Sequence, residues 1–269
     1  MRVKDLIKAL NERFPLHLQE AYDNAGEQIS FRNNIVDGIL ISLDLNEEVI
    51  KEAIEMGCCI IVTHHPFFFK PLRRITSGEP KSEMLIKLIV RGISLYSAHT
   101  NLDKIYYDKL ADVLGVYNRR LLIKTDISND SMDYGFGIYG ELNRVITMEH
   151  LLNIVKDRLK LKYLIYSGDK HKSISRLALI NGAGGGMIEK ILAEYNLDCI
   201  ITGDVGYHPG KIAQDYDVSI IDAGHYGTER ILLDFLKLEI QDCLTKIGAG
   251  SDIRIYISEK EESPFKILT

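Results

Sequence analysis

Cys58-Cys59-Ile60-Ile61-Val62-Thr63-His64-His65-Pro66-Phe67-Phe68-Phe69-Lys70 is the stretch that decides the fold. Its first part is an unbroken apolar run dense in β-branched side chains. That composition suits a strand buried on both faces of a parallel sheet. The run stops at a threonine, two adjacent histidines and a proline, and proline has no amide hydrogen with which to continue a ladder. Two imidazoles therefore stand at the carboxyl end of a central strand, the edge at which open α/β sheets bind ligands. Neutral imidazole is the commonest metal ligand. Adjacent residues at a strand end can point to different sides, so the pair can serve two ions as readily as one. The competing reading is two histidines that cap the strand and bond to carbonyls.

The flanks complete a unit around this strand. Gly38-Ile39-Leu40-Ile41-Ser42-Leu43 reads as a second buried strand, ending at Asp44. Asn46 can cap the helix that follows, with Glu47 and Glu48 near its positive end, and Gly57 closes it. This is a β-α-β crossover, which is right-handed with parallel strands. Upstream, Val3, Leu6, Ile7, Leu10 and Phe14 share a helical face, and residues 22–28 are turn formers. Downstream, a loop at 70–80 leads to a helix at 82–91 and a strand at 93–98. That strand also ends in polar residues, His99-Thr100-Asn101-Leu102-Asp103, before a helix at 107–114.

Residues 115–145 are mixed, with the glycine-rich segment Tyr134 to Gly140 as a strand and turns. A helix at 148–159, a strand at 162–166 and a hairpin tip or loop at 168–173 follow. Then the pattern returns: a strand at 177–180, the glycine-rich turn Asn181 to Gly186, a helix at 187–195, and the strand Cys199-Ile200-Ile201-Thr202. Placing Thr202 on Thr63 aligns both strands and the helix without a gap, which suggests a duplicated architecture. The glycine run reads better as a tight turn for close helix–sheet packing than as a phosphate cradle, because no P-loop Lys-Ser/Thr follows it. A last buried strand, Val218 to Gly224, feeds His225-Tyr226-Gly227-Thr228-Glu229 and a helix at 231–244.

Composition narrows the function. The 269 residues suit one large domain or two small ones, and 46% hydrophobic with 26% charged residues is ordinary for a soluble globular protein. A net charge of −5 gives no global basic signal for nucleic acid. No apolar run has the length to span a bilayer, and no signal-peptide core precedes the first helix. Four cysteines, two of them adjacent within the buried run, read as core hydrophobes in a reducing cytoplasm, and zinc ligation by cysteine is a weak alternative.

Three strands thus end in donors: His64 and His65, then His99 and Asp103, then His225 and Glu229. His225 and Glu229 are four apart in a first helical turn, so imidazole and carboxylate share a face. A parallel sheet brings its strand ends to one edge, so His64, His65, Asp103, His225 and Glu229 can meet. Three imidazoles and two carboxylates suit Zn, Mn, Fe, Co or Ni better than calcium. Five ligands exceed the needs of a one-ion catalytic site and suit two ions roughly 3.5–4 Å apart. Competing readings exist for each residue. His99 reads as a supporting or core histidine rather than a direct ligand, Glu229 as a dipole partner, Asp44 as a site residue or only the start of its helix, and His208 as a loop residue or a proton carrier. Phe67, Phe68 and Phe69 read as packing residues, or as an oligomer contact if exposed.

With these residues in place, the chain resembles the Nif-three-like proteins, also called GTP cyclohydrolase I type 2 homologues. The matching motifs are Asp23-Asn24-x-Gly26, Thr63-His64-His65-Pro66, His99-Thr100-Asn101-Leu102-Asp103, Thr202-Gly203-Asp204 with His208, and Gly224-His225-Tyr226-Gly227-Thr228-Glu229. They occur in family order over nearly the whole chain. The resemblance implies two similar α/β lobes with mostly parallel sheets and a dinuclear metal site in the cleft between them. The lobes would be 1–117 with 230–269, and 118–229, within a single family domain. It carries the ligand role onto His64, His65, Asp103, His225 and Glu229, and implies a toroidal homohexamer. Glu27 stands where the family often has Leu, and Asp204 where Glu is common; neither belongs to the carried-over ligands.

The expected function is a cytoplasmic, dinuclear-metal hydrolase acting on a nucleotide or related small molecule through a metal-activated water, with His99 or His208 moving protons. The alternatives are a non-catalytic metal-binding, regulatory or metal-chaperone protein, and a ring-shaped nucleic-acid-binding hexamer, which the acidic balance disfavours.

Overall fold

The computed structural model of the chain describes residues 1–129, 132–249, 252–266 and 268. In chain order the elements are α1 (Val3–Arg13), β1 (Gly26–Ile29), β2 (Gly38–Ser42), α2 (Glu47–Glu55), β3 (Ile60–Thr63), α3 (Pro80–Arg91), β4 (Ser94–Ser97), α4 (Thr100–Ile105) and α5 (Lys109–Leu114). The long strands β5 (Val116–Asn129) and β6 (Met132–Thr147) follow, then α6 (Met148–Arg158), β7 (Ile165–Ser167), β8 (Ser173–Leu179) and α7 (Ile188–Glu194). The chain finishes with β9 (Cys199–Thr202), α8 (Tyr207–Asp215), β10 (Ser219–Asp222), α9 (His225–Glu229), α10 (Leu232–Lys246) and β11 (Arg254–Ile257). Two compact units result: Met1–Leu102 with Leu232–Glu262, and Asp103–Ile231 with Ser263–Thr269.

In the first unit the sheet order is β1-β4-β3-β2-β11, parallel throughout except for the antiparallel edge strand β1. Ile60, Ile61 and Val62 are fully buried, as a strand covered on both faces requires. Burying each such side chain contributes roughly 1.5–3 kcal/mol. One cover includes α2 and α3, through Ile50, Ala53, Leu85 and Leu88 packed on Leu40, Ile61 and Leu95. Asn46 caps α2 by accepting from the Val49 amide at 2.9 Å, and Gly57 at φ +66 ends it. Pro80 occupies the first turn of α3, where its missing amide hydrogen costs nothing, so this helix starts earlier than residue 82. Glu261, nearly buried, accepts from the backbone amides of Leu43 and Asp44, and so ties the tail after β11 to the end of β2.

In the second unit the order is β5-β6-β8-β9-β10-β7. Its three-strand centre, β8-β9-β10, is parallel. As in the first unit, where β1 pairs with β4, an antiparallel strand that precedes the parallel set, here β7, pairs with the third parallel strand to follow it. β7 and β8 are thus far apart in the sheet, and residues 168–173 form a connection rather than a hairpin tip. The repeat is real in topology but not gapless. Val62 pairs with Ile41, whereas Ile201 pairs with Leu179 rather than Ile180, so the second unit carries one extra residue between its strands. A one-residue slip matters because it exchanges the two faces of a strand.

Residues 115–145 differ most from expectation. They begin on β5 and run through most of β6, a long antiparallel pair. Gly135 and Gly140 look like turn formers in sequence, yet they lie within β6. A Cβ at Gly135 would sit 2.0 Å from the Ile123 carbonyl oxygen, and one at Gly140 would sit 2.7 Å from that of Tyr117. Glycine is needed there because the partner backbone presses in, not because the chain turns. The helix expected at 107–114 is α5, and a separate helix that the sequence reading did not place, α4, begins at Thr100, three residues past the end of β4.

Candidate metal centre

The end of β3 is built to hold two imidazoles still. The His64 and His65 amides donate to the Ser42 and Leu43 carbonyls at 3.0 and 2.8 Å, which continues the ladder past Thr63. The Thr63 hydroxyl, 2.8 Å from Ser97 Oγ, also bonds the His65 carbonyl at 2.8 Å. His64 is 1% exposed, and its Nδ1 lies 2.8 Å from the Ala98 carbonyl oxygen. His65 Nδ1 lies 3.0 Å from Asp44 Oδ1. His99, two residues past β4, has Nδ1 2.7 Å from Asp23 Oδ1. The three rings cluster with centroids 4.9–5.5 Å apart. Each offers a ring nitrogen within 4.8 Å of the others, a set able to hold a metal ion.

The second unit repeats the device. His225 opens α9, and its Nδ1 lies 2.8 Å from Asp204 Oδ2. Asp204 adopts the left-handed conformation, φ +57, in the loop after β9. Asp222 fixes that loop and the next, accepting from the Val205 and Gly224 amides at 2.9 Å each. One turn along α9, Glu229 is 4% exposed and places Oε2 3.0 Å from His225 Nε2.

All four histidines therefore bond through Nδ1 to an oxygen that only accepts. Nδ1 must carry the hydrogen, and the lone pair of the neutral ring lies on Nε2. This tethering is the support that metal-bound histidines show. The His225–Glu229 pair fits a cation in the same way. With the hydrogen on Nδ1, an Nε2 lone pair faces a carboxylate at 3.0 Å, and a shared cation removes the repulsion.

Asp103 sits on α4, four residues after His99, the same spacing as His225 and Glu229, and its Oδ1 is buried. The first unit ends at Leu102, so this helix straddles the division. His208 lies on the exposed first turn of α8, edge-on to Tyr207, and belongs to none of the metal-capable groups found among the described residues.

A family model described as Duf34/NIF3 (NGG1p interacting factor 3) matches residues 1–264. The chain belongs to this family. A protein of Clostridium acetobutylicum named GTP cyclohydrolase 1 type 2 homolog is 35% identical over 269 residues, covering 99% of this chain and 98% of its own. A protein of the same name from Clostridium perfringens is 33% identical over 274 residues, with 100% of each chain covered. Among solved structures, a Bacillus cereus protein related to NIF3 superposes with a TM-score of 0.92 at 21% identity, over 100% of this chain and 99% of its own. That similarity shows the shared fold.

In the sequence of this Duf34/NIF3 chain Asp23 and Asp204 stand only as motif letters, and Asp44 as either a site residue or a helix start. The structure makes all three the partners of site histidines. A sequence signal for Asp204 existed: it follows the strand end, as His64 and His65 follow theirs. The glycine turn also does more than permit packing. A Cβ at Gly182 would lie 2.1 Å from Glu229 Oε1. Among the described residues, no helix is long and apolar enough to cross a membrane.

Asp23 gives a pH prediction. Burial by itself raises its carboxyl, but hydrogen bonds from His99, Thr100 and the Asn24 amide outweigh this and hold it at about 2. A depressed carboxyl stabilises the fold above its unfolded value near 4, and this contribution is lost as pH falls through about 2. Thermal melts of chelator-treated protein from pH 6 to 2.5 should show the advantage of wild type over Asp23→Asn shrinking by about 2 kcal/mol toward acid. A constant difference would refute the assignment.

Proposed function

We propose that this chain binds two divalent metal ions and acts as a hydrolase of the GTP cyclohydrolase kind on a nucleotide or related small molecule. The observation that carries this reading is the tethering of four histidines through Nδ1, which leaves every Nε2 as a donor. His64 and His65 with Asp103, and His225 with Glu229, are the proposed ligands. When bound, such ions lower the pKa of a coordinated water and polarise a carbonyl or phosphoryl oxygen. Asp44 and Asp204 hold the His65 and His225 rings in orientation and keep their Nδ1 hydrogens in place. His99, oriented by Asp23, can take up a proton at Nε2 and release it. His208, exposed on α8, is the second proposed proton carrier. The names of the curated relatives support the nucleotide direction. The four cysteines are free, and burial, with a smaller push from Cys59, raises the Cys58 thiol to about 12; both suit a reducing cytoplasm.

The test is metal content per chain by elemental mass spectrometry, followed by turnover of GTP by the loaded protein. Two ions per chain with metal-dependent turnover is the expected result. Asp204→Ala should weaken loading by roughly 10–100-fold. Full loading without turnover of any nucleotide would favour a non-catalytic metal carrier, and no loading would end the proposal.

A further inference from the structure

Phe69 ends the run that begins at β3, yet it does not join the core. Phe67 is buried, whereas Phe69 is 45% exposed and Tyr22, next to it, is 63% exposed. Their ring centroids are 6.2 Å apart, and Phe69 stands edge-on to His99 at another 6.2 Å. Two large rings thus remain in water at the rim of the imidazole cluster. The loops that present them are clamped together. Asn24 Nδ2 donates to the Phe68 carbonyl at 2.8 Å, and Gln28 Oε1 accepts from the Phe68 amide at 3.1 Å. Gln28 Nε2 closes the loop on itself through the Asn24 carbonyl at 2.6 Å. Exposed aromatics on a fixed backbone offer a flat face whose ordering cost was met on folding.

The chain then runs from Phe69 into Lys70, Arg73 and Arg74. All three are exposed, and none enters an ion pair among the described residues. No acidic residue occurs from His64 to Gly78, so this segment is a local cationic patch on an acidic protein. Aromatic faces beside guanidinium and ammonium groups match a planar ring joined to a polyanion.

Building on the nucleotide reading above, we infer that Tyr22 and Phe69 form a stacking platform for the base of a nucleotide. Lys70, Arg73 and Arg74 receive its phosphates, and His99 stands beside the stacked ring. The platform would select for a heteroaromatic substrate independently of which metal is loaded.

The experiment is calorimetric titration of GTP, guanosine and inorganic tripolyphosphate into the protein, both chelator-treated and metal-loaded. Phe69→Ala and Phe69→Leu should each weaken GTP and guanosine by about tenfold and leave tripolyphosphate unchanged, because stacking depends on the ring face. Phe69→Tyr should restore binding. Arg73→Ala with Arg74→Ala should weaken GTP and tripolyphosphate but not guanosine. The inference is overturned if wild type binds none of the probes, or if Phe69→Ala binds GTP within twofold of wild type. A loss of assembly mass in sedimentation with GTP affinity unchanged would overturn it too, by making this face a contact between copies. Metal content is measured on the same samples. Failure to load metal sinks the hydrolase proposal alone, because stacking is read in the metal-free protein as well.

Discussion

Glu229→Ala will lower bound metal by about one ion per chain and abolish metal-dependent turnover while the protein stays folded. The carboxylate is 4% exposed and faces His225 Nε2 at 3.0 Å, so it is the main anionic donor the second unit offers at that imidazole. Removing it takes the carboxylate charge from beside Nε2, so affinity for a divalent ion falls steeply. His225 itself stays in place, because Asp204 grips Nδ1 from the other side. Elemental analysis after dialysis against a competing chelator reads the stoichiometry, and thermal melts of chelator-treated samples read the fold. If the variant retains two ions, Glu229 is not a ligand and the proposed donor set is wrong.

Gly182→Ala should block the same site from behind. Two independent effects act at this position. The backbone is at φ +63, where a Cβ costs about 1–2 kcal/mol. The new methyl group would also lie 2.1 Å from Glu229 Oε1 and 3.4 Å from His225 Nε2. Something must move, and the carboxylate is what the methyl group meets first. The expected outcome is loss of metal at the second unit together with a fall in melting temperature of several degrees, on a scale of roughly 2–4 °C per kcal/mol. Gly186→Ala is the control: it lies in the same glycine run, has no neighbour within 4 Å, and should change neither quantity. Metal loading by Gly182→Ala equal to that of wild type would show that the glycine serves the turn alone.

Some features of this protein were legible because local rules write them into the chain. A strand buried on both faces must be apolar throughout, so Ile60 to Val62 and Ile200 to Ile201 announce themselves, and the donors that follow mark the strand ends. The Asn46 cap was legible for the same reason, since its partner lies three residues away. Other features were hidden because their cause is remote. Gly135 looks like a turn until the Ile123 carbonyl is seen to fill the place a Cβ would take. The extra residue between β8 and β9 is invisible in an alignment of apolar letters, which tolerates a shift that hydrogen-bond register does not.

The amino-acid order alone determined which side chains can donate to a metal and that they stand at the ends of buried strands, because hydrophobic periodicity and proline are read within a few residues. Only the tertiary structure decided which nitrogen of each ring carries the hydrogen and which the lone pair. Asp23 reaches His99 across 76 positions, and Asp44 and Asp204 each reach their histidines across 21. A hydrogen bond's partner is chosen through space, so the proton's place on an imidazole belongs to the fold and not to the string of residues.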